Sequence, residues 1–198
     1  MLHYDPLAII QSQIELLSQN ENHDKKIIQR LHQIGQATSK LSKLNQALLL
    51  LTRIENRQFN QTEKVDFSGV IQQKLESLEL LVAAKSIEIS TNLQPVFIVA
   101  NSLLMDILVS NVLSNAIKHN FHSGKIEIVL TEKNMTIRNN GLSPSVSTGE
   151  LFARFKKADD AAKSVGLGLA IVKEICDINN WKVSYIYHED WHEIAITF

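Results

Sequence analysis

Asn111-Val112-Leu113-Ser114-Asn115-Ala116-Ile117-Lys118-His119 closes a helix that the apolar spacing predicts over Leu103–His119. Asn111, Asn115 and Lys118 fall at i, i+4 and i+7, hence on one face. Asn is a poor helix former in mid-helix, so two of them one turn apart ask for a reason. Amide oxygens suit Mg²⁺ that already has phosphate oxygens as ligands, and the ammonium suits phosphate. A solvated polar face accounts for the same residues, and the helix alone leaves both readings open. Just downstream, Lys125-Ile126-Glu127-Ile128-Val129-Leu130 alternates apolar with polar, and Met135-Thr136-Ile137-Arg138 follows a charged turn. Residues 125–138 are therefore predicted to form a hairpin.

Further out, Met135, Ile137 and Asn139 share one side of a strand. If the first two face the core, Asn139 faces inward at the strand end, where a buried amide needs a partner. A purine edge or the backbone of the Asn140-Gly141 turn would serve. A loop-rich stretch runs from Gly141 to about Val165, then Gly166-Leu167-Gly168-Leu169-Ala170-Ile171-Val172-Lys173 opens a helix over about 167–179. Glycines at a helix start let phosphate approach backbone N–H groups and the positive end of the helix dipole. They also fit an ordinary softened helix N-terminus. Strands are predicted over 181–187 and 192–198, turning at Glu189-Asp190. Upstream, Phe67–Ala84 reads as one helix, Ile87 and Ile89 as a half-buried strand, and Val96–Val99 as a short apolar strand. Helices and mostly antiparallel strands in this order suggest an α+β sandwich, one sheet covered by helices on one face.

The first third is organised differently. Leu7, Ile10, Ile14 and Leu17 draw one stripe on a helix over 6–19, with Pro6 near its start. Asp24 is a candidate N-cap for a longer helix. There Ile27, Leu31, Ile34, Thr38, Leu41, Asn45 and Leu48 repeat at alternating steps of four and three, the heptad spacing of a helix packed lengthwise against partners. Such a hairpin completes its core by pairing with a second copy in a four-helix bundle, or by lying on the following domain. The heptad length favours self-association.

Composition sets the outer bounds. In 198 residues, 20 Lys+Arg against 21 Asp+Glu argue against nucleic-acid binding through a general basic surface. A hydrophobic share of 44% excludes wholesale disorder. One cysteine, Cys176, excludes an intramolecular disulfide and any multi-cysteine zinc site, and fits a reducing cytosol. It lies among Ile171, Val172, Ile175 and Ile178, so it is expected in the core. The longest apolar run, Ala47–Leu51, is far short of a membrane span, and no signal peptide is expected. His119 and His122 are three apart, with no third zinc ligand evident. Trp181 and Trp191 are expected to pack.

Taken in order, these clusters resemble the nucleotide-binding domain of sensor histidine kinases, in a wording closest to that common in Bacteroidetes. The helix resembles the N box, Asn139–Gly141 the G1 box, Leu151-Phe152-Ala153-Arg154-Phe155 the F box, and Ser164–Ile171 the G2 box. The hairpin with Leu41-Ser42-Lys43-Leu44-Asn45-Gln46-Ala47-Leu48-Leu49-Leu50-Leu51 resembles the family's dimerisation and histidine-phosphotransfer domain. Pro6-Leu7-Ala8-Ile9-Ile10 resembles the segment after the phospho-accepting histidine. The resemblance implies a dimeric four-helix bundle from residues 1–58. An ATP-binding α/β sandwich of the histidine kinase, gyrase and Hsp90 superfamily would follow at 62–198. It implies ATP and Mg²⁺, with Asn115 as main metal ligand and Asn111 beside it. Lys118 would reach phosphate, His119 would stand near the ribose and phosphates, and Asn139 would meet adenine beside Gly141. Residues 142–165 would be the ATP lid, with Arg154 or Lys156 touching the γ-phosphate. Gly166, Leu167 and Gly168 would hinge the lid and approach the phosphates. The implied partners are a second copy and the receiver domain of a response regulator. The implied setting is the cytoplasmic part of a membrane-anchored sensor.

Two departures stand out. The G1 box of the family begins with Asp and has a second glycine; here these are Asn139 and Ser143. A neutral amide accepts a hydrogen bond without the charge assistance that roughly doubles its strength. The phospho-accepting histidine precedes the proline by five residues in the family. Met1 stands there, and His3 is two residues out of register. This chain is therefore expected to lack its own acceptor and to begin inside the first helix of a longer protein. The alternative is a dimeric, regulator-docking module whose nucleotide pocket has decayed.

Overall fold

The computed structural model describes residues 6–18, 24–155 and 166–198. Met1, His3, Lys156 and the rest of the expected lid over 156–165 lie outside the described residues. The chain divides into two compact units, residues 1–49 and 50–198, and the division falls inside one long helix.

In the first unit, α1 (Pro6–Ser18) and α2 (Lys25–Glu55) form the expected hairpin arms. The Asp24 carboxylate accepts from the Lys26 N–H at 3.3 Å, and its carbonyl accepts from Ile27, as an N-cap should. Gly35 brings α2 close to α1: a Cβ there would sit 3.5 Å from Cγ2 of Ile14. The expected stripe on α1 splits. Leu7 and Ile14 are half-buried, whereas Ile10 and Leu17 are exposed together with Ile9 and Leu16. On α2, Leu31 and Leu48 are half-buried and Thr38 is buried, while Ile27, Ile34 and Leu41 stay exposed. One helix pair cannot cover both flanks of a heptad seam.

The second unit begins with the end of α2, whose Leu51 and Ile54 are fully buried. It continues through β1 (Glu63–Asp66), α3 (Phe67–Ser77), α4 (Glu79–Ala84), β2 (Glu88–Leu93) and β3 (Phe97–Ala100). Then come α5 (Ser102–Lys118), β4 (Lys125–Leu130), β5 (Asn134–Asn140), α6 (Gly168–Ile178), β6 (Lys182–His188) and β7 (Trp191–Thr197). A five-stranded sheet runs in the order β2-β4-β5-β7-β6. Only β2 and β4 pair in parallel, because the connection between them crosses over through α5. Ile126, Ile128, Met135, Ile137, Ile194 and Ile196 line one face of the sheet. The apolar stripe of α5, from Leu104 to Ile117, packs against that face. The opposite face is polar, with Arg138 between Glu127 (3.3 Å) and Glu193 (3.4 Å) and over the Trp191 ring. The α+β sandwich with helices on one sheet face is as expected.

Two local readings need correction. Phe67–Ala84 is not one helix: the chain re-aims at Leu78, between α3 and α4. The Ser77 hydroxyl donates back to the Lys74 carbonyl at 2.8 Å, a side-chain bond that bends helices. In addition, β1 pairs antiparallel with β3 in a separate two-stranded sheet. Val65 is its only apolar residue, so no periodicity announces it. Trp181 packs as expected, against Phe198 with ring centroids 5.0 Å apart.

Candidate functional site

Asn111 and Asn115 sit half-buried on α5, at the edge of its core stripe. The Asn111 amide donates to the Ile107 carbonyl at 2.8 Å, the local bond that lets Asn persist in mid-helix. Its oxygen turns to α6: a Cβ on Gly168 would lie 2.9 Å from Asn111 Oδ1. Only glycine admits that approach without a shift. Among the described residues, the Asn115 side chain makes no hydrogen bond, so its amide oxygen is open to a ligand. Lys118 is exposed in the last turn of α5, and His119 is the half-buried C-cap.

The strand expectation for Asn139 holds. Met135, Ile137 and Asn139 all point inward, and Asn139 is 5% exposed. Its Nδ2 donates to the Asn140 carbonyl at 2.9 Å, leaving Oδ1 as its acceptor. Beyond it, Gly141 is pinned by its N–H to the Asp190 carbonyl at 2.8 Å. A Cβ on Gly141 would overlap the carbonyl oxygen of His119 and the ring of His192. The end of α5 and the end of β5 therefore meet in backbone contact.

Sequence reasoning missed His192. It alternates inward with Ile194 and Ile196, opposite Asn139 across β5 and β7, and a polar residue on that inward register was the available signal. Its Nδ1 lies 2.6 Å from the Tyr185 hydroxyl. Burial pushes the His192 pKa down and the Tyr185 pKa up, so both are neutral near pH 7. Its Nε2 is buried close under Gly141, with no hydrogen-bond partner among the described residues.

The start of α6 carries no side-chain cap. Leu167, 2% exposed, is the N-cap residue, and the helix begins at Gly168. Its first N–H groups thus have no side-chain acceptor among the described residues, and such a helix start can take an anion. Gly166 takes a left-handed φ of 75°, and its carbonyl accepts from the Phe155 N–H at 2.9 Å. That bond joins Phe155 to Gly166, the two described residues on either side of 156–165. Arg154 is ion-paired with Glu55, and lies 3.8 Å from Glu174 on α6. In this structure its guanidinium is committed to carboxylates. Cys176 is buried, and burial pushes its thiol up to about 12, which leaves no thiolate for chemistry.

Asn111 and Gly168, and His119 and Gly141, are thus brought together from distant parts of the chain. The result is an open amide oxygen, an uncapped helix N-terminus and an inward-facing amide acceptor in one domain.

Residues 100–193 match the family described as Histidine kinase-, DNA gyrase B-, and HSP90-like ATPase. The chain is 30% identical over 196 residues to the Heme sensor protein HssS of Staphylococcus aureus (strain Newman), covering 94% of this chain and 42% of that protein. It is 26% identical over 187 residues to the Heme sensor protein HssS of Staphylococcus saprophyticus, covering 90% of this chain and 40% of that protein. The chain therefore spans about two fifths of the length of these curated relatives. Among solved structures, the Acinetobacter baumannii histidine kinase AdeS superposes with a TM-score of 0.68 at 21% identity, covering 98% of this chain and 94% of that one. Full-length ShkA in complex with AMPPNP superposes with a TM-score of 0.69 at 19% identity, covering 97% and 42%. At these identities the structural likeness bears on the fold.

Proposed function

We propose that this chain, which carries a domain of the histidine kinase-, DNA gyrase B- and HSP90-like ATPase family, is the ATP-binding catalytic core of a sensor histidine kinase. It would move the γ-phosphoryl group of Mg-ATP to a histidine, for relay to an aspartate of a response regulator. The dimerisation hairpin would be residues 1–58 and the ATP-binding domain 62–198. A second copy and a receiver domain are the partners this reading calls for, with the chain on the cytoplasmic side of a membrane-anchored parent. No helix among the described residues is long and apolar enough to cross a membrane.

The observation that carries this reading is the convergence of the three clusters, with Gly141 and Gly168 placed where a Cβ would collide. A decayed pocket has no reason to keep Gly168 against Asn111 or Gly141 against His119. Phosphoryl transfer asks the protein for positioning and charge stabilisation rather than covalent chemistry. The uncapped N–H groups of α6 would take phosphate oxygens, and Lys118 would add a positive charge. The open Asn115 oxygen fits a Mg²⁺ ligand, with Asn111 beside it. When bound, Mg²⁺ neutralises charge on the phosphates. Asn139 would accept a hydrogen bond from the adenine amino group, and His119 would stand near the ribose and phosphates. Arg154 would have to leave Glu55 and Glu174 to reach the γ-phosphate, and Lys156 is the other candidate.

Calorimetry tests this directly. Mg-ATP is expected to bind, and Asn115→Ala to weaken it about tenfold or more by deleting one metal ligand. That variant should melt close to wild type, because the side chain it removes makes no hydrogen bond among the described residues. Absence of Mg²⁺-dependent ATP heat, or indifference to Asn115→Ala, would sink the reading in favour of the decayed module.

Asn139→Asp has two opposed consequences. The carboxylate is a stronger acceptor for the adenine amino group. It also removes the donor to the Asn140 carbonyl and buries a charge beside it. The expected result is a lower melting temperature without nucleotide and a few-fold tighter Mg-ATP. A variant that is less stable and binds no tighter would show that Asn139 serves the turn rather than the base.

A further inference from the structure

Lys85 follows α4 and reaches across to the end of α5. Its Nζ donates to the carbonyls of Ile117 (2.9 Å), Lys118 (2.9 Å) and Asn120 (3.3 Å). An ammonium has three N–H donors, and here each has a carbonyl acceptor. The Lys85 carbonyl in turn accepts from the Ser123 N–H at 2.8 Å, so the residue grips the 119–124 turn from both its side chain and its backbone. The last carbonyls of any helix lack intrahelical partners, and a cation there also answers the negative end of the helix dipole. Burial pushes the Lys85 pKa down, the cost of holding an ammonium at this place.

What Lys85 grips is the part of α5 that faces the nucleotide site. Lys118 and His119 end the helix, and the His119 carbonyl stands directly against Gly141. We propose that Lys85 is a positioning residue of the nucleotide site, its ammonium clamping the last carbonyls of α5 so that Lys118 and His119 hold their spacing from Gly141. This rests on the Mg-ATP reading given above. A cap that served stability alone would have the same hydrogen bonds, so the test must read position separately from stability.

Lys85→Met keeps the aliphatic stem and removes the donors. Mg-ATP is titrated calorimetrically into wild type and variants at a temperature where all are folded. The affinity of Lys85→Met is expected to fall about tenfold. Lys85→Arg, which returns the charge and donors, is expected to recover part of that loss. In a Lys118→Ala background the Lys85→Met loss should shrink, because a side chain it positions is already gone. Ile71→Val, in the buried face of α3, should lower the melting temperature and leave the affinity unchanged. Three results overturn the inference alone: wild-type affinity in Lys85→Met, a full tenfold loss persisting in the Lys118→Ala background, or an equal loss in Ile71→Val. A wild type that binds no Mg-ATP overturns both this inference and the nucleotide reading.

Discussion

Leu41→Glu is expected to turn a dimer into a monomer. Ile27, Ile34 and Leu41 recur on one flank of α2 and are 45%, 51% and 52% exposed in the single chain. Ile9, Ile10, Leu16 and Leu17 of α1 are likewise exposed. Within the hairpin, the other flank is already used: Ile14 meets Gly35, and Thr38 is buried with its hydroxyl donating to the Ile34 carbonyl. A second hairpin laid on the exposed flank would bury the half of each side chain that is still exposed, contributing about 1 kcal/mol apiece. A glutamate at position 41 puts a carboxylate into that seam, at a cost of several kcal/mol unless it finds a partner. Sedimentation velocity at tens of micromolar, a range suited to micromolar association, should show a wild-type dimer and a monomeric variant. A wild-type monomer at that concentration would leave the heptads without the proposed partner.

Gly141→Ala is expected to remove nucleotide binding and cost stability together. The added methyl meets the main-chain carbonyl of His119 and the ring of His192. Neither can swing away. The carbonyl belongs to the C-cap of α5, and the ring is buried and bonded to Tyr185. Either the end of α5 or the β5–β7 pair must move, and overpacking of this kind costs about 1–3 kcal/mol. The displaced groups are those proposed to hold ATP, so the binding heat should vanish while the fold persists at lower temperature. Thermal melts with and without Mg-ATP check both parts: the wild type should be stabilised by nucleotide and the variant should not. A variant that melts lower and still gains stability from Mg-ATP would separate the Gly141 contact from the site.

The parts of this site that could be read in advance were those governed by local periodicity. Period-two alternation put Asn139 on the same side as Met135 and Ile137, and all three are inward. Helical spacing put Asn111 and Asn115 on one face of α5, and both lie half-buried at the edge of its core stripe. The tight turn at Glu189-Asp190 has both residues at left-handed φ, 50° and 63°, as a two-residue hairpin loop requires. Arg154 is different. Its place in a stretch that resembles the F box says nothing of Glu55, 99 residues away, which takes its guanidinium here. Lys85 gives no local signal for the same reason, since the carbonyls it meets lie at the end of α5.

The sequence by itself determined most of the helices and strands, though neither β1 nor the break at Leu78, together with the inward face of the main strands and of α5 and the order in which the motifs occur. These follow from side-chain spacing along a backbone with only two common periods. Tertiary structure decided which elements meet. It laid the 63–66 strand on β3, broke the long helix at Leu78, set Gly168 against Asn111 and Gly141 against His119, and gave Lys85 the carbonyls at the end of α5. Pairings of that kind depend on packing and register between segments far apart in the chain, and a one-dimensional pattern of apolar and polar residues does not encode the distance between them.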